Sequence, residues 1–196
     1  MSKPFKIMFV CTGNICRSPF GERVLQAGLD KLSPRAFEVT SSGTYGMLSY
    51  DGMAAKSAEL VESFGAEVDD FEPRRMNDRM IEDSDLIFGL TQDHRAEIMA
   101  RVPKSTRKTF TLREFARCLE RATLPNAKDI YTAWTNLVAQ CADLRSQVSV
   151  EAEDDDVLDP YGRSMRTYKK MALQMMPAID QILFAQEKIK KKLTKG

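Results

Sequence analysis

The segment Cys11-Thr12-Gly13-Asn14-Ile15-Cys16-Arg17-Ser18 sits between two stretches of different period. Before it, Lys6–Val10 is a short apolar run that reads as a buried strand. After it, Ser18-Pro19 opens a helix. Ser suits the cap, and Pro suits the first helical position, where no donor is needed. A loop wrapped between a strand end and a helix start can aim successive N–H groups at one centre. That is an anion nest, reinforced by the helix dipole. Thr12, Gly13, Asn14, Ile15, Cys16 and Ser18 would form it. Gly13 lets the backbone turn tightly, and Asn14 tolerates positive φ. Arg17 can fork two donors onto two phosphate oxygens. The same field favours a thiolate at Cys11, a nucleophile placed beneath a bound phosphoryl group. Ser18 can donate to the sulfur and ease its departure.

The rest of the chain alternates strand and helix. Strands are expected at Phe37–Ser41, Asp85–Leu90 and Lys108–Leu112. Helices are expected at Met53–Phe64, stopped by Gly65, at Met76–Ile81 and at Asp93–Arg101. A long amphipathic helix spans about Ser164–Lys191, with Pro177 as a point for a kink. Between Arg113 and Asp156 the pattern is less regular. One helix fits Ile130 to Leu144, and the acidic run Glu151–Asp156 reads as an exposed flexible loop. Such alternation predicts an α/β fold: a central four-stranded parallel sheet with helices on both faces. Ligands in these sheets bind at the carboxyl ends of strands, which is where Cys11 falls.

A length of 196 residues suits one domain, 1–196, with an extended helical and acidic insertion at about 115–156. A net charge of +1, with no basic block among aromatics, argues against nucleic acid or a membrane surface as partner. The apolar stretch Ile7–Val10 is too short for a signal peptide or a span, so a cytoplasmic location is expected. In that compartment the four cysteines are expected as thiols. Cys118 and Cys141 fall in apolar helical patterns and read as buried packing residues. His94, the single histidine, reads as a surface or packing residue. No Cys/His cluster has metal-ligand spacing, so no metal or cofactor is expected.

Val10-Cys11-Thr12-Gly13-Asn14-Ile15-Cys16-Arg17-Ser18-Pro19 resembles the phosphate loop of the low-molecular-weight protein tyrosine phosphatases. The resemblance extends to Ser41-Ser42-Gly43-Thr44, the Asp85–Leu90 strand, Thr109–Leu112 and Asp159-Pro160-Tyr161-Gly162. It implies Cys11 as nucleophile, Arg17 as phosphate clamp and Asp159 as general acid, with Asn14 and Ser41 supporting the loop. An Asp-Pro pair by itself marks only a turn. Beside this loop, a carboxylic acid has a purpose, because a leaving tyrosine oxygen needs a proton. Tyr45 and Tyr161 are the candidate pocket walls, with Met47 as an alternative to Tyr45. Cys16 has two readings, a small buried residue or a redox guard that captures oxidised Cys11. Relatives resembling arginine phosphatases carry Thr at the position of Ile15, so the apolar residue here favours phosphotyrosine. The implied substrate is a phosphotyrosine-containing protein, a tyrosine kinase among the candidates. Three alternatives remain open: a phosphoarginine phosphatase, a thiol-dependent arsenate reductase on the same fold, and a non-enzymatic phosphate-binding module.

Overall fold

A computed structural model describes residues 3–148 and 152–194. Its centre is strand β1 (Phe5–Cys11), in which almost every side chain is buried. The strand is apolar on both faces because both are covered. Phe5, Ile7, Phe9 and Cys11 point into the larger core, whereas Met8 and Val10 point into a smaller one with Ile81, Ile87 and Ile98. β2 (Phe37–Gly43) pairs with one edge of β1 and β3 (Leu86–Gly89) with the other, and β4 (Thr109–Thr111) follows β3. All pairings are parallel and the order is β2-β1-β3-β4. The chain leaves β1 toward one neighbour and later returns to the other side. The carboxyl end of β1 is therefore the switch point, where a crevice opens.

The helices are α1 (Arg17–Leu32), α2 (Ala55–Ser63), α3 (Asp78–Asp83), α4 (Gln92–Arg101), α5 (Leu112–Arg121), α6 (Ile130–Leu144), α7 (Ala152–Asp155) and α8 (Met165–Leu193). Helix α8 runs through Pro177 without interruption. Three details differ from expectation. Helix α1 begins at Arg17, and Ser18 is not its cap. The Ser18 side chain turns inward instead, to Cys11 and Asn14. Helix α5 was foreshadowed only by the helical pattern around Cys118, and its bounds were not drawn, although its start signal is in the sequence. Thr111 accepts from the Glu114 N–H while Glu114 reaches back to the Thr111 N–H, a reciprocal cap.

The acidic run is the third difference. Glu151 lies outside the described residues, and Asp154 is exposed as expected. Asp155, however, is buried against Arg117, and Asp156 accepts from the Gln92 N–H at 2.8 Å. Arg117 on α5 draws the Asp155 carboxylate inward and the start of α4 holds that of Asp156, which a charge count along the chain does not reveal. The anchored segment continues into Val157, whose N–H donates to Leu90 O at 2.8 Å, and Leu158, whose N–H donates to Gln174 at 2.8 Å. Asp159 is thus presented by a tethered strand of chain.

Helix α6 docks on the sheet through Trp134. This side chain is fully buried, packs on Phe5 and Phe37, and donates from Nε1 to Gln186 on α8 at 2.7 Å. Trp134→Ala is expected to cost about 3–5 kcal/mol through cavity formation. Urea unfolding followed by far-ultraviolet circular dichroism measures it. A loss below about 1 kcal/mol would mean that this packing does not anchor α6.

Candidate active site

The loop from Cys11 to Arg17 is shaped by what its carbonyls find. Cys11 O accepts from the Thr44 N–H at 2.8 Å, Thr12 O from Tyr45 and Gly46, Gly13 O from Met47 at 2.8 Å, and Ile15 O from Ala54 at 2.9 Å. The segment after β2 therefore takes the carbonyls on the outside of the turn. Among the described residues, none accepts from the N–H groups of Gly13 through Arg17. Buried donors of this kind are rare unless a ligand uses them, and here they gather at the start of α1, where the dipole favours an anion. Close approach of the two segments depends on Gly43. A Cβ there would lie 2.5 Å from Thr12 O.

Asn14 holds the turn. Its backbone is left-handed, with φ 58°, a conformation Asn tolerates. Its side chain is fully buried and fully used. Nδ2 donates to Ser41 Oγ at 2.7 Å and to Ser18 Oγ at 2.9 Å, while Oδ1 accepts from the Arg74 N–H at 2.7 Å. Ser18 Oγ lies 3.0 Å from Cys11 Sγ. Ser18 accepts from Asn14, and its own proton faces two acceptors, the sulfur and the more distant Ser42 O at 3.4 Å.

Arg17 is buried and held on two sides. It donates to Val157 O at 3.2 Å and to Asp159 Oδ2 at 2.9 Å. Asp159 Oδ1 accepts from the Tyr161 N–H at 3.1 Å, and its side chain is 52% exposed at the mouth. A pocket of about 150 Å³ opens above the loop. Cys11, Thr12, Gly13, Ile15, Cys16 and Arg17 form its floor and lower wall; Tyr45, Met47, Asp159 and Tyr161 complete it. Both Tyr45 and Met47 line the pocket, so the two alternatives for that wall occur together. Tyr161 also meets Tyr50 across the rim, hydroxyl to hydroxyl at 3.2 Å. Ser41 sits behind the loop as its support, outside the pocket lining.

The remaining cysteines divide by surroundings. Burial pushes the Cys16 thiol up to about 11, against a hydrogen bond with the Tyr168 hydroxyl at 3.3 Å. Cys118 and Cys141 are far apart in sequence, yet the packing of α5 on α6 brings them together. Their mutual hydrogen bond lowers the Cys118 thiol and raises Cys141. Neither lines the pocket.

His94 is the residue that sequence reasoning missed. It is buried, the packing one of its two readings, but beside the loop, with Nε2 3.0 Å from Thr12 Oγ1. Its place three residues after the α4 cap, Thr91, was readable. That α4 would abut the phosphate loop was not, since 82 residues separate His94 from Thr12. Burial, then the nearby Arg17 charge, lowers its pKa to about 4 from an ordinary 6.5; Asp159 and Asp93 act weakly the other way. The folded state therefore binds this proton less readily than the unfolded chain. The stability carried by neutral His94 is present above about pH 6.5 and is lost as pH falls toward 4. In His94→Gln, the loss of stability between pH 7 and pH 4 should shrink by up to about 3 kcal/mol. Urea titrations at the two pH values measure the difference. An unchanged loss would show that His94 is not held neutral.

The chain as a whole is similar to known proteins. The family model described as "Low molecular weight phosphotyrosine protein phosphatase" matches residues 6–132. The chain belongs to this family. The low molecular weight protein-tyrosine-phosphatase Etp of Escherichia coli strain K12 is 32% identical over 120 residues, 61% of this chain and 75% of that protein. A protein-arginine-phosphatase of Geobacillus stearothermophilus is 25% identical over 179 residues, 91% of this chain and 94% of that protein. The crystal structure of a low molecular weight protein tyrosine phosphatase from T. tengcongensis superposes with a TM-score of 0.67 at 23% identity. It covers 92% of this chain and 98% of that one. The family is one of cysteine-dependent phosphatases. No described helix is long and apolar enough to cross a membrane.

Proposed function

We propose that this phosphatase hydrolyses phosphotyrosine in proteins through a phosphocysteine on Cys11. The observation that carries the reading is the run of N–H groups from Gly13 to Arg17, without an acceptor among the described residues, on a loop that lines one pocket together with Cys11. They offer three equatorial phosphoryl oxygens the donors they need. Cys11 attacks phosphorus, the bond to the tyrosine oxygen breaks, and Asp159 gives that oxygen its proton. Water then attacks phosphorus as Asp159 takes its proton, and the thiolate leaves with Ser18 donating to it. Arg17 has to exchange Asp159 for the phosphate, and this frees the carboxyl group for the leaving oxygen.

Ile15, 2% exposed in the pocket wall, supports an aryl group over a guanidinium as the occupant. Tyr45, Met47 and Tyr161 add apolar surface at the mouth against which a flat ring can pack. The phosphoarginine reading keeps one observation in its favour, the arginine phosphatase aligned over 91% of this chain. Turnover of phosphotyrosine, phosphoserine and phosphoarginine peptides and of arsenate, by wild type and Cys11→Ser, separates the readings. Phosphoarginine turnover exceeding phosphotyrosine would overturn the assignment. The substrate class is a phosphotyrosine-bearing protein, with a tyrosine kinase among the candidates.

Cys16 is assigned here as a redox guard. Held as a thiol at neutral pH, it can condense with a Cys11 sulfenic acid to give a disulfide and water. After peroxide treatment, mass spectrometry should find a Cys11–Cys16 disulfide, and thiol should restore activity. In Cys16→Ser the recovery should be largely lost; full recovery would remove the protective role.

A further inference from the structure

The chemistry above gives His94 no part, although both of its ring nitrogens are engaged. Nδ1 lies 2.8 Å from Thr91 Oγ1, and Nε2 lies 3.0 Å from Thr12 Oγ1. Thr91 caps α4, and its Oγ1 also accepts from the His94 backbone N–H at 3.2 Å. Burial keeps the ring neutral at pH 7, so it has one N–H and one lone pair. Two arrangements satisfy it. In the first, the Thr91 hydroxyl donates to Nδ1, Nε2–H donates to Thr12, and the Thr12 proton is left over. In the second, Nδ1–H donates to Thr91, Thr12 donates to Nε2, and the Thr91 proton is left over.

The surroundings favour the first arrangement. Thr91 is half-buried, and among the described residues only the His94 ring accepts from its hydroxyl. A leftover proton there would be poorly satisfied. Thr12 is exposed and lines the pocket, where a ligand or solvent can accept.

We propose that His94 is a positioning residue for Thr12. By donating from Nε2 to Thr12 Oγ1, it turns the Thr12 hydroxyl proton into the pocket, where the hydroxyl donates to an oxygen of the bound phosphoryl group. The inference rests on the reading of this pocket as a phosphoryl site. It adds a side-chain donor to the backbone nest. The orientation of that donor is set from α4, an element that otherwise contributes nothing to the pocket.

The test has two arms. The chain has one histidine, so the untagged protein gives one set of imidazole signals. Nitrogen-15 NMR at pH 7 should show the Nε2–H tautomer; the Nδ1–H tautomer or an imidazolium would overturn the proposal. The second arm is a double-mutant cycle with His94→Leu and Thr12→Val, read by calorimetric affinity for inorganic phosphate and by kcat/KM for 4-nitrophenyl phosphate. Each single change should lower both by about ten- to a hundredfold, the value of one hydrogen bond to a charged group. The double variant should be no worse than Thr12→Val. Losses that multiply would show that His94 does not act through Thr12. His94→Gln keeps an amide donor in a side chain of similar reach, and it should recover most of the loss. If His94→Leu fails to fold, the NMR tautomer and the phosphate affinity of His94→Gln decide. A His94→Gln variant that folds yet binds phosphate as weakly as Thr12→Val would overturn the proposal. Coupled phosphate binding without 4-nitrophenyl phosphate turnover would sink the phosphatase reading and leave the role of His94 standing.

Discussion

Cys11→Ser is expected to lower turnover of phosphotyrosine peptides by about 10⁴-fold or more, while the protein folds and binds phosphate. The change replaces one atom. Asn14, Ser18 and Ser41 keep their hydrogen bonds, because none of those bonds uses the sulfur as its only partner. The loop amides and Arg17 remain in place to hold the anion. What disappears is the sulfur nucleophile, since a serine oxygen in its place is a much weaker nucleophile toward phosphorus. Steady-state assays with phosphate affinity measured in parallel make the comparison. Retained turnover alongside retained binding would refute the phosphocysteine route.

Asp159→Asn should lower kcat for phenyl phosphate by about 10²–10⁴-fold, and markedly less for 4-nitrophenyl phosphate. The contrast follows from the leaving oxygen. Phenolate departs poorly without a proton, whereas nitrophenolate is stable enough to leave alone. A purely structural effect, through loss of the Arg17 contact at 2.9 Å, would lower both substrates alike. With Asp159→Ala, slow hydrolysis should allow mass spectrometry of quenched turnover to find phosphate on Cys11. Equal losses for the two leaving groups would remove Asp159 as the acid and direct attention to Asp154, which is exposed, and Asp156, which is tied to Gln92.

The parts of the site that could be read along the chain are those held together by local geometry. Cys11 to Ser18 are consecutive, so strand, turn and helix start bring them around one centre, and the segment after β2 then fixes the loop's shape. The parallel sheet was equally legible, because apolar runs and amphipathic stretches alternate at the two periods that strands and helices impose. Asp159 was reachable only through the family resemblance. Nothing in its immediate neighbours distinguishes an acid from a turn.

The acidic run shows why local reading fails. Asp155 and Asp156 look like a solvated stretch until Arg117 and Gln92 are placed opposite them. Helix α5 was read only as a helical pattern around Cys118 and was given no bounds despite its reciprocal cap, because the irregular composition after Arg113 obscured a face built from Leu112, Phe115, Ala116 and Cys118. Cys118 and Cys141 were rightly expected to be buried, but their contact depends on how α5 meets α6.

The loop around Cys11 therefore belongs to the sequence, since its spacing alone places a thiol, an anion nest and a guanidinium within one turn of backbone. The tertiary structure decided what closes over that loop and what stands behind it. Asp159 arrives on a tethered segment 142 residues from Arg17, and His94 reaches Thr12 across 82 residues. These contacts depend on strand order and helix packing, which bury groups from distant elements against each other. No local period in the chain encodes that meeting.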